Sequence, residues 1–338
     1  MRKKVAINGF GRIGRLFFRR AWENKAFEVV AINDLGNIEN LAYLLKYDSV
    51  YGRFGESVAV QGDSLAVAGK MIRVTQVMDP AALPWREMKI DVVVEATGVF
   101  VTYEKSKAHL TSGAKRVVIT APAKDPDGAE GKTILVGVNE ADLKEVVLTS
   151  NGSCTTNAAS PVMAIMSENP GIEKAILSTV HGYTASQSIV DGPNKKNVRE
   201  GRAAAQNIIP STTGAAIAVA RALPNLKDKF DGLSFRVPVV AGSIADITFI
   251  AKRNTTAAEI NDIFKKAAAS PRWQGIMAVA EDPIVSSDII GEPYGAIVDL
   301  AFTKVVDGNL VKVLSWYDNE AGYVSTLMRH VERAAKTI

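Results

Sequence analysis

The stretch "VAINGFGRIG", Val5–Gly14, decides how the first half of this 338-residue chain folds. Val5–Asn8 is a β-branched run that reads as a strand, and the pattern from Ile13 to Asn24 reads as a helix. Between them Gly9, Gly11 and Gly14 spell G-x-G-x-x-G. In a strand–turn–helix that motif suits a dinucleotide. The first glycine permits the tight turn, the second lets backbone approach a pyrophosphate, and the third lets helix pack on strand. The helix N-terminus adds partial positive charge. Glycine needed only for packing would leave the same triplet, so a second signal is required. Asp34 supplies it, about twenty residues on, just after a second strand at Phe27–Ile32. Its carboxylate suits the adenosine ribose hydroxyls and would repel a 2′-phosphate. No Arg or Lys follows in Leu35-Gly36-Asn37 to bind one, so NAD rather than NADP is the expected cofactor.

Outward from this motif the alternation continues. Helical patterns at Ile38–Lys46 and Lys105–Ser112 interleave with strand-like runs at Ile90–Glu95, Arg116–Thr120, Thr133–Val136 and Val146–Thr149. That is the signature of an α/β Rossmann domain, a parallel sheet with helices on both faces. Beyond residue 152 the texture changes. Longer strand-like stretches run at Ile172–His181, Leu233–Val240, Ser243–Lys252, Ala296–Asp299 and Leu310–Trp316, with helical patterns at Gly214–Ala222 and Ala257–Ala268. A mostly antiparallel sheet in a separate α+β domain is expected. The closing helix, Gly322–Thr337, carries Val324, Leu327, Met328 and Val331 on one face. The expected organisation is residues 1–152 joined by a C-terminal helix within 320–338, and a second domain over 153–319.

Composition narrows the function. Forty Lys+Arg against 36 Asp+Glu leaves a net charge of +4. That is too mild for nucleic acid as the main partner and compatible with small anions. No run of eighteen uncharged apolar residues exists to cross a membrane. The start runs into the glycine turn without an apolar signal segment, so a cytoplasmic location is expected. One cysteine excludes an internal disulfide framework and a multi-cysteine zinc site, and no metal is expected.

That cysteine sits in "SNGSCTTNAASP", Ser150–Pro161. A strand precedes it and a helix follows, which puts Cys154 at a helix N-terminus, where unpaired N–H groups and the dipole favour a thiolate. A free cysteine is often only a small core residue. Ser153, Thr155, Thr156 and Asn157 are poor company for that role. The chain has three histidines. His109, in "KSKAHLTSGA", and His330, in "LMRHVER", read as surface residues of amphipathic helices. His181 ends a strand beside a glycine and hydroxyls, where it can meet a distant thiol as its base and later acid. It could equally close the strand by hydrogen bonding alone.

Two stretches suit anions. Ser211, Thr212, Thr213 and Gly214 precede a helix, although ordinary N-capping needs only one such hydroxyl. Lys195, Lys196, Arg199 and Arg202 crowd a loop, a pattern usually seen on solvated faces. Arg236 stands in an apolar strand, "LSFRVPVV", and needs an anion or carboxylate partner.

Taken in order, "INGFGRIGR", "INDL", "YDSVYGRF", "EATGVF", "SCTTN", "IIPSTTGAA" and "SWYDNEAGY" closely resemble the phosphorylating glyceraldehyde-3-phosphate dehydrogenases, from about residue 3 to 335. The resemblance implies a Rossmann domain, a catalytic domain and a homotetramer. It implies NAD-dependent conversion of glyceraldehyde 3-phosphate and inorganic phosphate to 1,3-bisphosphoglycerate, in glycolysis or gluconeogenesis. Cys154 would be the nucleophile and His181 its activator. Gly9, Gly11, Arg12, Ile13 and Asp34 would hold NAD, with Met78 beside the adenine and Thr120 near the cofactor. Asn319 would orient the nicotinamide carboxamide, with Tyr323 alongside. Ser153, Thr155, Thr184, Thr213, Gly214 and Arg236 would bind phosphate groups. Residues 182–206 would pack against a neighbouring subunit's cofactor.

Four positions depart from that pattern: Ala158 replaces a common second cysteine, Met78 replaces an arginine, no Pro-Asn follows "RVP", and Glu200 replaces an arginine. An erythrose-4-phosphate dehydrogenase would tend to lack both "STTGAA" and the Asp of "INDL". A reductase of amino-acid acyl phosphates usually takes NADP, which Asp34 opposes. A non-enzymatic RNA-binding role lacks an aromatic and basic platform.

Overall fold

The computed structural model describes residues 2–195 and 197–338; Lys196, one of the four loop cations, lies outside the described residues. The chain divides into two compact units, Met1–Gly152 with Val324–Ile338, and Ser153–Tyr323.

The first unit runs β1 (Lys3–Asn8), α1 (Arg12–Ala21), β2 (Phe27–Asn33), α2 (Ile38–Lys46), β3 (Tyr47–Asp48), β4 (Gly52–Arg53), β5 (Val58–Gln61), β6 (Ser64–Val67), β7 (Lys70–Thr75), α3 (Trp85–Met88), β8 (Val92–Glu95), α4 (Tyr103–Thr111), β9 (Arg116–Ile119), β10 (Lys132–Thr133) and β11 (Leu148–Ser150). Nine of these strands form one sheet in the order β10-β11-β9-β8-β1-β2-β7-β6-β5. From β10 to β7 the pairs are parallel, and only the β5–β6–β7 edge is antiparallel. The central strands are buried on both faces, which is why Val92–Val94 and Val117–Ile119 read as unbroken apolar runs. Trp85, Tyr103, Ile90 and Leu148 belong to one cluster of this core.

Two local differences from the sequence reading have physical causes. The first helix stops at Ala21 because the Asn24 side chain accepts from the N–H groups of Ala26 and Phe27, turning the chain into β2. Of the expected strand Thr133–Val136 only Thr133 joins the ladder, with Lys132 before it. The Asn139 side chain accepts from Leu135 N and donates to Thr133 O, bending the chain away.

The second unit runs α5 (Cys154–Glu168), β12 (Ile172–Gly182), β13 (Ile209–Thr212), α6 (Ala215–Ala222), β14 (Phe230–Val237), β15 (Ser243–Ala251), α7 (Ala257–Ala268), β16 (Met277–Ala280), β17 (Ala296–Val306) and β18 (Leu310–Tyr317); α8 (Ala321–Ala335) closes the chain. Its sheet is mixed, in the order β13-β14-β12-β15-β18-β17-β16. The β12–β14 and β16–β17 pairs are parallel and the other four are antiparallel. The expected strand Leu233–Val240 ends early because Pro238 has no N–H to give the ladder. Along β15 every second residue is buried, the mark of a sheet covered on one face. Helix α5 packs on β12, β15, β17 and β18. Ile176, Val180, Leu233, Phe302 and Val306 remain exposed on other parts of these strands.

Candidate active site

In the first unit the G-x-G-x-x-G turn forms one wall of a groove of about 370 Å³. Gly9 has φ +94°, and a Cβ there would lie 2.6 Å from Thr97 N, so the turn seats directly on the loop after β8. A Cβ on Gly14 would lie 2.1 Å from Gly9 O, which lets α1 close onto β1. A Cβ on Gly11 would meet nothing within 4 Å. Gly11 is also the N-cap of α1, and no side chain caps that end. A helix start with no side-chain cap, at a glycine turn open to close approach, is what a pyrophosphate requires, so the residues present fit a dinucleotide. Asp34 Oδ2 accepts from Phe10 N at 2.6 Å and Oδ1 from Gly36 N at 2.8 Å, fixing the carboxylate at the groove. The lining residues include no Arg or Lys to hold a 2′-phosphate.

Of the expected cofactor residues, Gly9, Gly11, Asp34 and Met78 line this groove, Met78 being 77% exposed. Arg12 points elsewhere and pairs with Asp48 through both Nη atoms, at 2.7 and 3.2 Å. Ile13 lies in the first turn of α1, and Thr120 follows β9 with its N–H on Glu95 O. Asn8, Asn33, Val77 and Thr97 also line the groove and went unnoticed in the sequence. Their shared signal is position, since Asn8 and Asn33 each end a parallel strand that points at the glycine turn.

In the second unit Cys154 begins α5. Ser153 Oγ accepts from Thr156 N at 3.0 Å and Thr156 Oγ1 accepts from Ser153 N at 3.1 Å, a complete capping box worth about 1 kcal/mol. Cys154 Sγ lies 3.3 Å from His181 Nε2, at the end of β12. The same strand register sets His181 opposite Arg236 on β14. His181 Nδ1 is 2.6 Å from Gly182 O and also 2.6 Å from Arg236 Nη1. A carbonyl only accepts and a guanidinium only donates, so Nδ1 serves one at a time. With its proton on Nδ1 directed at Gly182 O, the Nε2 lone pair faces the thiol as a base. With Arg236 donating to Nδ1, Nε2–H faces the sulfur instead.

Burial, and then the Arg236 charge, lower His181 from 6.5 to about 3. Burial also pushes the Cys154 thiol up, with the Arg236 charge and the Thr155 N–H opposing it. In the folded surroundings desolvation thus works against the thiolate that the helix start favours. Tyr317 Oη bridges Thr155 Oγ1 at 2.8 Å and Thr179 Oγ1 at 2.7 Å, and its ring stands edge-on to His181 at 5.9 Å.

Arg236 has no carboxylate partner among the described residues, and its buried Nε has no partner. Of the other expected anion ligands, Ser153 and Thr155 flank Cys154 at the start of α5. Thr184 Oγ1 is near Ser186 and Gln187, Thr213 Oγ1 accepts from Ala215 N, and Gly214 is the uncapped start of α6. Glu200 accepts from Ser211 Oγ at 2.5 Å. Asn319 Oδ1 accepts from Gly242 N and Ser243 Oγ, and Tyr323 is buried.

His109 and His330 are not surface residues; both are fully buried. His109 contacts Glu95 and Trp85, and His330 contacts Asn151 and Thr149. Each lies on the buried face of its helix, His109 with Tyr103 and Ser106, and His330 beside Leu327 and Val331, where residues remote in sequence supply polar partners.

Comparison with known proteins identifies the family. Residues 3–103 match the glyceraldehyde 3-phosphate dehydrogenase NAD binding domain, and residues 153–319 match the C-terminal domain of the same family. The chain is 48% identical to glyceraldehyde-3-phosphate dehydrogenase 2 of Streptomyces avermitilis, over 96% of each chain. It is 46% identical to the Bacillus subtilis protein of the same name, over 99% of this chain and 98% of that one. The Clostridium pasteurianum glyceraldehyde-3-phosphate dehydrogenase is 48% identical over 98% of each. With both domains matched and relatives aligned nearly end to end, this chain belongs to the glyceraldehyde 3-phosphate dehydrogenase family.

Proposed function

We propose that the chain oxidises glyceraldehyde 3-phosphate with NAD and captures the product as 1,3-bisphosphoglycerate, using Cys154 as nucleophile. The observation that carries this is Cys154 Sγ, 3.3 Å from His181 Nε2, at the capped start of α5. His181, with Nδ1–H on Gly182 O, takes the thiol proton through Nε2 as sulfur attacks the aldehyde carbon. The resulting thiohemiacetal oxygen needs a donor, and Nε2–H now faces it. NAD, when bound, supplies the hydride acceptor, held by Gly9, Gly11 and Asp34, with Asn319 assigned to the carboxamide and Tyr323 beside it. Loss of hydride to NAD, with the hydroxyl proton taken by His181 Nε2, leaves a thioester on Cys154, and inorganic phosphate displaces the sulfur as thiolate to give the acyl phosphate. A thioester keeps enough free energy to form that mixed anhydride, which an ordinary oxygen ester would not. Arg236, with an unpartnered buried Nε, is the cation assigned to phosphate, together with Ser153, Thr155, Thr184, Thr213 and Gly214.

The active form we assign is a homotetramer in the cytoplasm. What supports it is exposed apolar surface: Ile176, Val180, Phe302 and Val306 on sheet strands, and Ile189, Val190 and Val198 in the 182–206 loop. Such surface is suited to meeting a second copy. No helix is long and apolar enough to cross a membrane among the described residues.

The test is NADH formation from glyceraldehyde 3-phosphate with and without inorganic phosphate, before and after alkylation of the single cysteine. Phosphate-dependent turnover abolished by alkylation is expected. Equal turnover without phosphate would make the product a free acid, and activity surviving full alkylation would remove Cys154 from the chemistry.

A further inference from the structure

Beneath the groove of the first unit lies a polar chain that the chemistry above does not use. Trp85 Nε1 donates to His109 Nδ1 at 3.1 Å, so His109 carries its proton on Nε2. That nitrogen lies 3.0 Å from Glu95 Oε2 and donates to it. Glu95 Oε2 also accepts from Asn8 Nδ2 at 2.6 Å, and Oε1 accepts from Thr97 N at 2.9 Å and from the Thr97 hydroxyl. Asn8 Oδ1 in turn accepts from Asn33 Nδ2 at 2.7 Å, and Asn33 Oδ1 accepts from Val77 N at 2.9 Å. Trp85, His109, Glu95 and Asn8 are each 1% exposed or less.

From Glu95 this chain reaches the groove on two sides. Asn8, Asn33, Val77 and Thr97 are lining residues, whereas Trp85, His109 and Glu95 are not. Thr97 N is also the atom that a Cβ on Gly9 would meet at 2.6 Å. The glycine turn and the Thr97 loop are therefore packed against each other with no slack, and Glu95 holds both sides: Thr97 directly, and Gly9 through its neighbour Asn8. A buried carboxylate with four donors is fully satisfied, and removal of one donor leaves it short in a medium where that is expensive.

We infer that His109 is a positioning residue for NAD: it does not itself line the groove, but through Glu95, and with Nε2 3.4 Å from Asn8 Nδ2, it fixes the Asn8 and Thr97 walls that the dinucleotide lies against. This rests on the assignment of the groove to NAD and not on the cysteine chemistry, so the two fail separately. The role predicts an effect on NAD affinity with little on the chemical step. A merely structural role would lower thermal stability without that selectivity.

The experiment is calorimetric titration of NAD into the purified protein, beside steady-state kinetics and the rate of Cys154 alkylation. His109→Leu removes the donor to Glu95 and the acceptor for Trp85. It is expected to raise the NAD Kd about ten-fold, as one lost charge-assisted hydrogen bond would, with kcat at saturating NAD and the alkylation rate close to the parent's. His109→Gln can offer an amide N–H to Glu95 and a carbonyl to Trp85, and is expected to recover most of the affinity. An unchanged Kd in His109→Leu, with or without a lower Tm, would overturn the inference. So would a Gln variant as weak as the Leu variant, or a loss in kcat without a change in Kd. Should His109→Leu fail to fold, Trp85→Phe removes only the donor that fixes the tautomer. A several-fold weaker Kd is then expected, and an unchanged one overturns the inference. No NAD binding by the unaltered protein would overturn it together with the assignment of the groove.

Discussion

His109 and His181 are both buried imidazoles held at each ring nitrogen, and they differ in whether their contacts agree. At His109 a donor, Trp85 Nε1, meets Nδ1 and an acceptor, Glu95 Oε2, meets Nε2; Asn8 Nδ2, 3.4 Å from Nε2, has its own shorter bond to Glu95 Oε2, so a single tautomer leaves no group without a partner. At His181 an acceptor and a donor, Gly182 O and Arg236 Nη1, compete for Nδ1 while a thiol faces Nε2. No one protonation state satisfies that set. A ring whose partners agree holds its surroundings still, whereas a ring whose partners compete can pass between two tautomers. The site of chemistry is thus distinguished less by burial than by unresolved hydrogen bonding.

The strongest way to break this comparison is to exchange both rings for groups that cannot shuttle a proton. His181→Asn is expected to lower kcat by about 10²–10⁴-fold, the usual contribution of a positioned general base, while His109→Leu leaves kcat near the parent's. Steady-state rates at saturating substrate decide it, and comparable kcat losses in the two variants would erase the distinction. A finer probe removes one competitor. Burial is the first cause of the low His181 pKa of about 3 and the Arg236 charge the second, so Arg236→Gln is expected to raise it while burial keeps it below 6.5. Titration of the His181 Cε1–H resonance measures this directly, and an unmoved midpoint would mean that Arg236 does not set the ring's state.

How far the sequence reveals these features depends on how local their causes are. The glycine turn and Asp34 are legible because a strand, a turn and a helix must follow one another at fixed spacing. Cys154 is legible because its cap lies within three residues of it. The buried histidines are not, since the partners of His109 come from a strand end and a helix start 14 and 24 residues away. Tyr317 is hidden for the same reason, reaching Thr155 and Thr179 from across the unit. Arg236 is an intermediate case: an arginine in an apolar strand signals a need for a partner, but only the register of β12 against β14 reveals that the partner is His181. The antiparallel strands β5–β7 escape a reading based on strand–helix alternation because their turns are made by Gly62 and Gly69, with no helix between. The upward push of burial on the thiol is not legible either, because desolvation is a property of the folded surroundings and not of a helix start.

The third histidine extends the comparison to stability. His330 on α8 contacts Asn151 Oδ1 through Nδ1 at 3.0 Å and Thr149 Oγ1 through Nε2 at 2.9 Å. A neutral ring satisfies both, donating from Nδ1 and accepting the threonine hydroxyl at Nε2. Burial first, then the charges of Arg116 and Arg333, lower its pKa from 6.5 to about 3. The unfolded chain therefore binds a proton below about 6.5 that the folded chain refuses until about 3. The stability this group contributes is complete above pH 6.5 and is lost as pH falls through that interval, at no more than about 1.4 kcal/mol per pH unit. His330→Gln keeps a donor and an acceptor but has no proton to gain, so the variant is expected to lose less stability than the parent between pH 7 and pH 5. Urea unfolding at the two pH values compares the slopes. Equal slopes would mean that His330 can be protonated in place, and that agreement among hydrogen-bond partners does not by itself hold an imidazole neutral.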